Sequence, residues 1–233
     1  MNYSEFFKFL RKWRDARRNP PASAWPREIT LDSKAWEGIQ RLYNLTRMDG
    51  HEYETSFFFA EGETFLTTPL RGSRQQVTSS HSMSIKYEID QRKRVYYRNI
   101  ILDGRVVSKS AIKPAQMAQG GQLGFLFNVH THPEHKNSED KTTYSFFSDT
   151  DIRSLLAANA TVSGLVTDSF WLVCKTDAAI SKVGEVGEEL LYAISEKAFG
   201  GEQYLDDLIK ENMSRWGLVF YRGAFRKPLV RVN

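Results

Sequence analysis

The sequence predicts an α+β fold: a mixed β-sheet flanked by helices, with an N-terminal amphipathic helix and a C-terminal helical extension. Strand-like runs stand both before and after a single mid-chain helical stretch, the pattern of helices set against a sheet that is not purely parallel. The regular strand–helix alternation that a doubly wound sheet needs is missing. With 41% apolar and 26% charged residues over 233 positions, the chain can bury a core and is not a disordered polymer. At roughly 150 residues per domain, one elaborated domain is the simplest reading.

The elements follow in order. Phe6, Phe9/Leu10 and Trp13 recur at helical spacing opposite a set of cations, so residues 3–18 read as an amphipathic helix. The run Asn19-Pro20-Pro21-Ala22-Ser23 breaks it, and residues 1–24 form a basic helix with a proline linker. The main domain spans 25–180. It opens with a short strand, Glu28 to Leu31. A helix then runs from a cap at Asp32/Ser33 to about Met48, with Trp36, Ile39 and Tyr43 on one face. Glu54 through Ala60 reads as a strand, and Glu61-Gly62 turns it into a second, Thr64 to Thr67. Residues 82–112 alternate as hairpins, with Asp103-Gly104 as a turn signal. Gln116 to Gln122 is a polar connection, and Leu123 to His132 is a largely apolar strand stopped by Pro133. A loop, 134–147, precedes a helix from about Asp149 to Asn159. Leu165–Thr167 and Phe170–Lys175 make another strand pair. The remainder, 181–233, holds helical stretches at 185–199 and 203–214 and a strand, Leu218 to Tyr221, packing on the domain.

Charge and cysteine usage narrow the function. Residues 1–18 carry six cations and two acids, a surplus of four that equals the net charge of the whole chain. The basic character therefore belongs to the N-terminal helix, and a nucleic-acid-binding domain is not expected. Three destinations are open to that helix: its own domain, a partner protein or second copy, or a nucleic acid or membrane surface. Lone Cys174 excludes an intramolecular disulfide and a multi-cysteine zinc cluster; in its apolar run it reads as a packed thiol. No apolar run reaches the ~20 residues of a membrane span, and a cytoplasmic protein is expected.

The segment that carries chemistry is Asn128-Val129-His130-Thr131-His132-Pro133, followed by Ser148-Asp149-Thr150-Asp151. Residues i and i+2 of a strand share a face, so His130 and His132 present two imidazoles side by side. Two imidazoles and one carboxylate suffice for a catalytic zinc site with water as fourth ligand, and Asp151, early in the next helix, is the candidate carboxylate. Taken alone, Ser148 and Asp151 also read as a helix N-terminal cap.

Together these residues resemble the JAMM (JAB/MPN-plus) metalloprotease family, whose pattern is an upstream Glu, then His-x-His-Pro, then Ser-x-x-Asp. His130-Thr131-His132-Pro133 and Ser148-x-x-Asp151 match it, with Ile152 continuing the usual ending. Glu54-Thr55-Ser56-Phe57-Phe58-Phe59-Ala60 fits the family's Glu-bearing strand, with Ser56 where Gly is usual. The resemblance covers roughly residues 28–176 and implies an MPN/JAB-like fold. The 14 residues between Pro133 and Ser148 are about twice the usual number, so Asp140, Asp149 and Glu139 stand as alternatives to Asp151. Glu52, on the same strand face, is the rival to Glu54.

The resemblance implies that His130, His132 and Asp151 bind Zn²⁺, that Glu54 is the general base, and that Ser148 donates to the oxyanion. It implies a zinc-dependent (iso)peptidase that removes or processes ubiquitin or a ubiquitin-like modifier, with the modifier's extended C-terminal tail as substrate. Such a tail can add as a strand to a sheet edge, and the insert 82–112 is a candidate platform. Its Lys86, Arg92, Lys93, Arg94 and Arg98 read as solvated charges or as modifier contacts. Two other functions stay open: a non-enzymatic MPN-type interaction module, and a zinc peptidase acting on small peptides or amino-acid conjugates. Barrel-type metal hydrolases that also open with His-x-His need further histidines, and none follows His135. His-Glu-x-x-His, Gly-x-Ser-x-Gly and a P-loop are absent.

Overall fold

The computed structural model describes residues 1–73, 81–118, 123–133, 135–136, 142–143, 146–158, 160–179 and 216–233. The helices expected at 185–199 and 203–214 lie outside these residues.

The first helix, α1 (Tyr3–Asp15), starts where Asn2 accepts from the Glu5 amide and the Glu5 carboxylate accepts from the Asn2 amide, both at 2.9 Å. This reciprocal box satisfies two donors that a helix start leaves orphaned. The helix docks on its own sheet, burying Tyr3, Phe6, Phe7 and Leu10. The buried face is rotated from the one expected: Phe7 is inside, while Phe9 and Trp13 are only partly covered. Phe7 stacks on Phe59 at 4.4 Å between centroids. Gly124 makes room for it, since a Cβ there would fall 2.7 Å from the Phe7 ring. Phe7→Ala is expected to cost about 3–5 kcal/mol, the range for emptying a buried aromatic site. Denaturant unfolding measures this, and a loss under 1 kcal/mol would mean that α1 is not part of the cooperative core.

A short strand, β1 (Glu28–Ile29), leads to α2 (Ser33–Asp49). Asp32 caps α2 by accepting from the Ala35 amide, and Gly50, at φ 68°, closes it in the left-handed conformation that favours glycine. Then come β2 (Tyr53–Ala60), β3 (Glu63–Leu66) and the two-residue β4 (Leu70–Arg71). Every residue of β2 is buried, as a strand covered on both faces must be. The insert is a separate three-stranded meander of β5 (Met83–Asp90), β6 (Val95–Leu102) and β7 (Arg105–Ile112). Asp103 and Gly104, both at positive φ, form the turn between the last two.

A one-turn helix, α3 (Pro114–Ala118), occupies part of the connection read as irregular, and β8 (Leu123–Thr131) follows. Within the loop 134–147, β9 (His135–Lys136) pairs with β10 (Thr142–Thr143). The chain continues through α4 (Asp149–Ala157), β11 (Val162–Val166), β12 (Phe170–Cys174), β13 (Val219–Gly223) and β14 (Leu229–Arg231). β4 and β14 escaped the sequence pattern because two or three residues are too few to establish a period.

The main sheet runs β1-β14-β13-β12-β11-β8-β2-β3, with β4 also pairing to β2. It is mixed: β8 and β11 are parallel, joined across α4, and the other pairs are antiparallel. The fold is therefore α+β with a mixed sheet. One face carries α1 and α2 over Phe57, Phe59, Phe127, Val129, Phe170 and Leu172. The other carries α4 with Phe146, Phe147 and Trp216 over Leu165, Trp171, Val173 and Phe220. Further along that second face the insert packs Ile100 and Leu102 against Phe58, Ala60 and Phe65. Cys174 lies fully buried in the first core, where burial pushes its thiol up. No helix among the described residues is long and apolar enough to cross a membrane.

Candidate metal centre

His130 and His132 come from the end of β8 and Asp151 from the first turn of α4, the helix that carries the chain from β8 to its parallel neighbour β11. The crossover is what converts 20 residues of separation into contact. His130 Nε2 stands 3.3 Å from Asp151 Oδ1, and His132 Nε2 stands 3.4 Å from Asp151 Oδ2. The imidazole centroids are 5.0 Å apart. One donor atom from each of the three residues lies within 4.8 Å of the others, a group that could hold a metal ion. Phe147 closes one side, edge-on to His130 at 6.0 Å.

The electrostatics ask for positive charge. Burial alone pushes the Asp151 carboxyl up, but the two imidazoles outweigh it and hold the acid well below the usual carboxylate range. Burial lowers His130, and Asp151 outweighs that in turn, so its basicity is raised. The His130 Nε2 atom is buried and makes no well-formed hydrogen bond, although Asp151 Oδ1 stands 3.3 Å away. A lone pair and a carboxylate oxygen aimed at one point repel unless a proton or a cation sits between them. The donor set thus fits a divalent ion.

Ser148 and Asp151 also make the helix cap. Ser148 donates from both its amide (2.8 Å) and its hydroxyl (2.9 Å) to Asp151 Oδ2, and the Asp151 amide donates to Ser148 Oγ. The two readings of this pair are compatible, because the cap aims the carboxylate at the histidines. The hydroxyl that the resemblance assigns to an oxyanion is here donated to Asp151.

The two glutamates enter from β2, the strand hydrogen-bonded to β8. Glu54 is the direct cross-strand partner of His130, and continuing that register sets Glu52 opposite His132. Both are buried. Burial raises the Glu52 carboxyl, against the pull of His132 and then His130. The structure therefore brings both candidates to the site. Among the described residues, Asp151 is brought to the histidines. Asp140 and Glu139 lie outside the described residues, and Asp149 opens α4.

Sequence reasoning missed the clamp behind the histidines. Thr131 faces away from them, bonded to Thr46 of α2, and accepts from the Tyr53 amide at 2.9 Å. It fixes β8 against both β2 and α2 where the ligands emerge. A polar residue on the apolar face of a strand was the available signal. Asp49 does similar work at the base of β2. Desolvation raises it, but hydrogen bonds from the Tyr53 hydroxyl, Arg71 Nε and the His51 amide bring it down to about 2. A carboxyl depressed in the folded state contributes stability above its unfolded value near ~3.9 and loses it as pH falls toward 2. Melting temperatures between pH 4 and 2 should therefore fall less steeply in Asp49→Asn than in the parent; equal slopes would discount this cluster.

The insert borders the site. Among the described residues its apolar packing begins at Phe58 and Phe125, and the row Ser56–Asn128 separates these from Glu54 and His130. Arg98 pairs with Glu61 at 2.6 Å, a structural use of one cation offered as a modifier contact. No protein-family model and no curated protein matches the chain.

Proposed function

We propose that the protein is a zinc-dependent (iso)peptidase with an MPN/JAB-like fold that removes or processes ubiquitin or a ubiquitin-like modifier. The observation that carries this is the convergence of His130, His132 and Asp151, with Glu54 cross-strand from His130. Zinc is favoured among divalent ions by the donor chemistry, two imidazoles and a carboxylate. Each imidazole nitrogen stands against its own oxygen of the Asp151 carboxylate, His130 at 3.3 Å from Oδ1 and His132 at 3.4 Å from Oδ2, so one carboxylate faces both donors. The order of parts also supports the family reading, with α2 before the Glu-bearing strand, the histidines on its neighbour and the acid on the crossover helix.

When bound, zinc supplies Lewis acidity, lowering the pKa of a water toward about 7 and polarising a carbonyl. Glu54 takes the proton of the attacking water and returns it to the leaving amine, the transfer of a positioned general acid–base group. Ser148 has two duties. It orients Asp151 in the resting state, and by turning its hydroxyl it donates to the oxyanion of the tetrahedral intermediate; such a donor is worth about 2.7–4 kcal/mol. Phe147 shields the His130 side from water, which strengthens each of these interactions.

The test uses the purified full chain. Metal analysis should give one zinc per chain, and the loaded protein should cleave a modifier fusion in preference to short peptides. Clearly less than one zinc, with none retained from added stock, would instead favour an interaction module. Equal cleavage of short peptides would favour a small-peptide peptidase.

A further inference from the structure

The polar row beside the metal group has no part in the chemistry above. Ser56 of β2, Asn128 of β8 and Ser163 of β11 are cross-strand partners, so their side chains share the face that bears Glu54 and His130. Along the strands, one side of this row is the metal group's own row, Glu54 and His130 with Leu165 beside them, and the other side turns apolar at Phe58. The insert lies over Phe58 and Ala60, and α4 with Phe147 lies over Leu165 and Trp171. The row is thus a polar floor between the insert and the metal group, one strand step (two residues, ~6.8 Å) from His130. Asn128 is only partly buried there, whereas Ser56 is 2% exposed.

Ser56 fixes how the asparagine is presented. Its hydroxyl donates to Asn128 Oδ1 at 2.8 Å, so the carbonyl half of the amide faces the buried serine. Because the amide is planar, its two N–H donors are directed away from β2, over the floor. This also gives a reason for serine where the family pattern has glycine: a glycine would leave the amide free to turn over. A fixed donor one step from the hydrolytic centre suits an extended backbone, whose carbonyls recur at about that interval.

We infer that Asn128, oriented by Ser56, is a substrate-positioning residue that donates to a backbone carbonyl of an extended peptide whose end reaches the metal group. The inference rests on the peptidase reading and names how that site holds its substrate. Its ligand is the extended peptide tail of that reading.

The experiment measures binding, not turnover. The probe is a fluorescein-labelled hexapeptide, Leu-Arg-Leu-Arg-Gly-Gly, titrated with the zinc-supplemented full chain and followed by anisotropy. Asn128→Ala should weaken binding about ten-fold, the worth of one well-made hydrogen bond. Asn128→Asp keeps the acceptor for Ser56 and the shape but removes the donor, so it should also lose about ten-fold or more while melting like the parent. Ser56→Ala should lose less, because the donor survives with its orientation loosened. Parent-like affinity in both Asn128 variants would overturn the inference and leave the metal centre standing. A parent that binds no such peptide would overturn it as well. Conversely, Asn128-dependent binding in a protein that hydrolyses no fusion would support the anchor while the peptidase reading fails.

Discussion

Glu54→Gln is expected to retain zinc and the parent's melting behaviour while turnover falls by about 10²–10⁴, the contribution of a positioned general acid–base group. The substitution is isosteric, so the strand pairing with His130 survives and only the proton acceptor is lost. The comparison that decides the assignment is Glu52→Gln. Both carboxylates are buried and both lie on the strand beside β8. Direct register favours Glu54, whereas Glu52 is the carboxyl whose affinity for protons is raised by burial. Near-parental rates in Glu54→Gln, with collapse in Glu52→Gln, would transfer the base to Glu52. Steady-state kinetics on a modifier fusion, with zinc content measured on the same samples, separates loss of the base from loss of the metal.

His132→Ala should abolish stoichiometric zinc. Even outer partners of metal ligands are worth 10–100-fold in affinity, so removing a direct ligand from a three-residue set should exceed about 100-fold. Asp151→Asn gives a second view, because it keeps the shape but removes the charge that both imidazoles face. Since Ser148 donates to Asp151 Oδ2, that variant also tests whether the cap survives when the acid becomes an amide. Equilibrium dialysis against ⁶⁵Zn or a chromophoric chelator reads both. Unchanged zinc stoichiometry in either variant would move the metal elsewhere, and the hydrolase proposal would fall with it.

Much of the candidate site was legible because its signals are local. His-x-His on a strand places two rings on one face by the two-residue period alone, and Ser148-x-x-Asp151 is a capping pattern whatever else it does. The α2 caps, the Glu61-Gly62 turn and the Asp103-Gly104 turn were legible for the same reason: each depends on a few neighbouring residues and their allowed dihedrals. The choice among acids was not local. Asp140, Asp149, Glu139 and Asp151 are similar in sequence terms, and the crossover from β8 to β11 brings Asp151 to the histidines. The buried face of α1 was legible only in part, since Phe6 and Leu10 of the predicted stripe are buried and Trp13 is not. Phe9 lies in the predicted stripe and Phe7 beside it, and contact with Phe59 above the small Gly124 selects Phe7.

By itself the sequence determined the fold class, the order of most elements, the two imidazoles and the chemistry such donors support, because these follow from side-chain period, capping and ligand type. Only the tertiary structure decided which carboxylate meets the imidazoles, that Glu52 and Glu54 both reach them, and that a polar floor runs beside them. Those facts depend on strand register and on the path of one helix over the sheet. Both are set by packing between residues dozens of positions apart, where no short window of sequence carries the information.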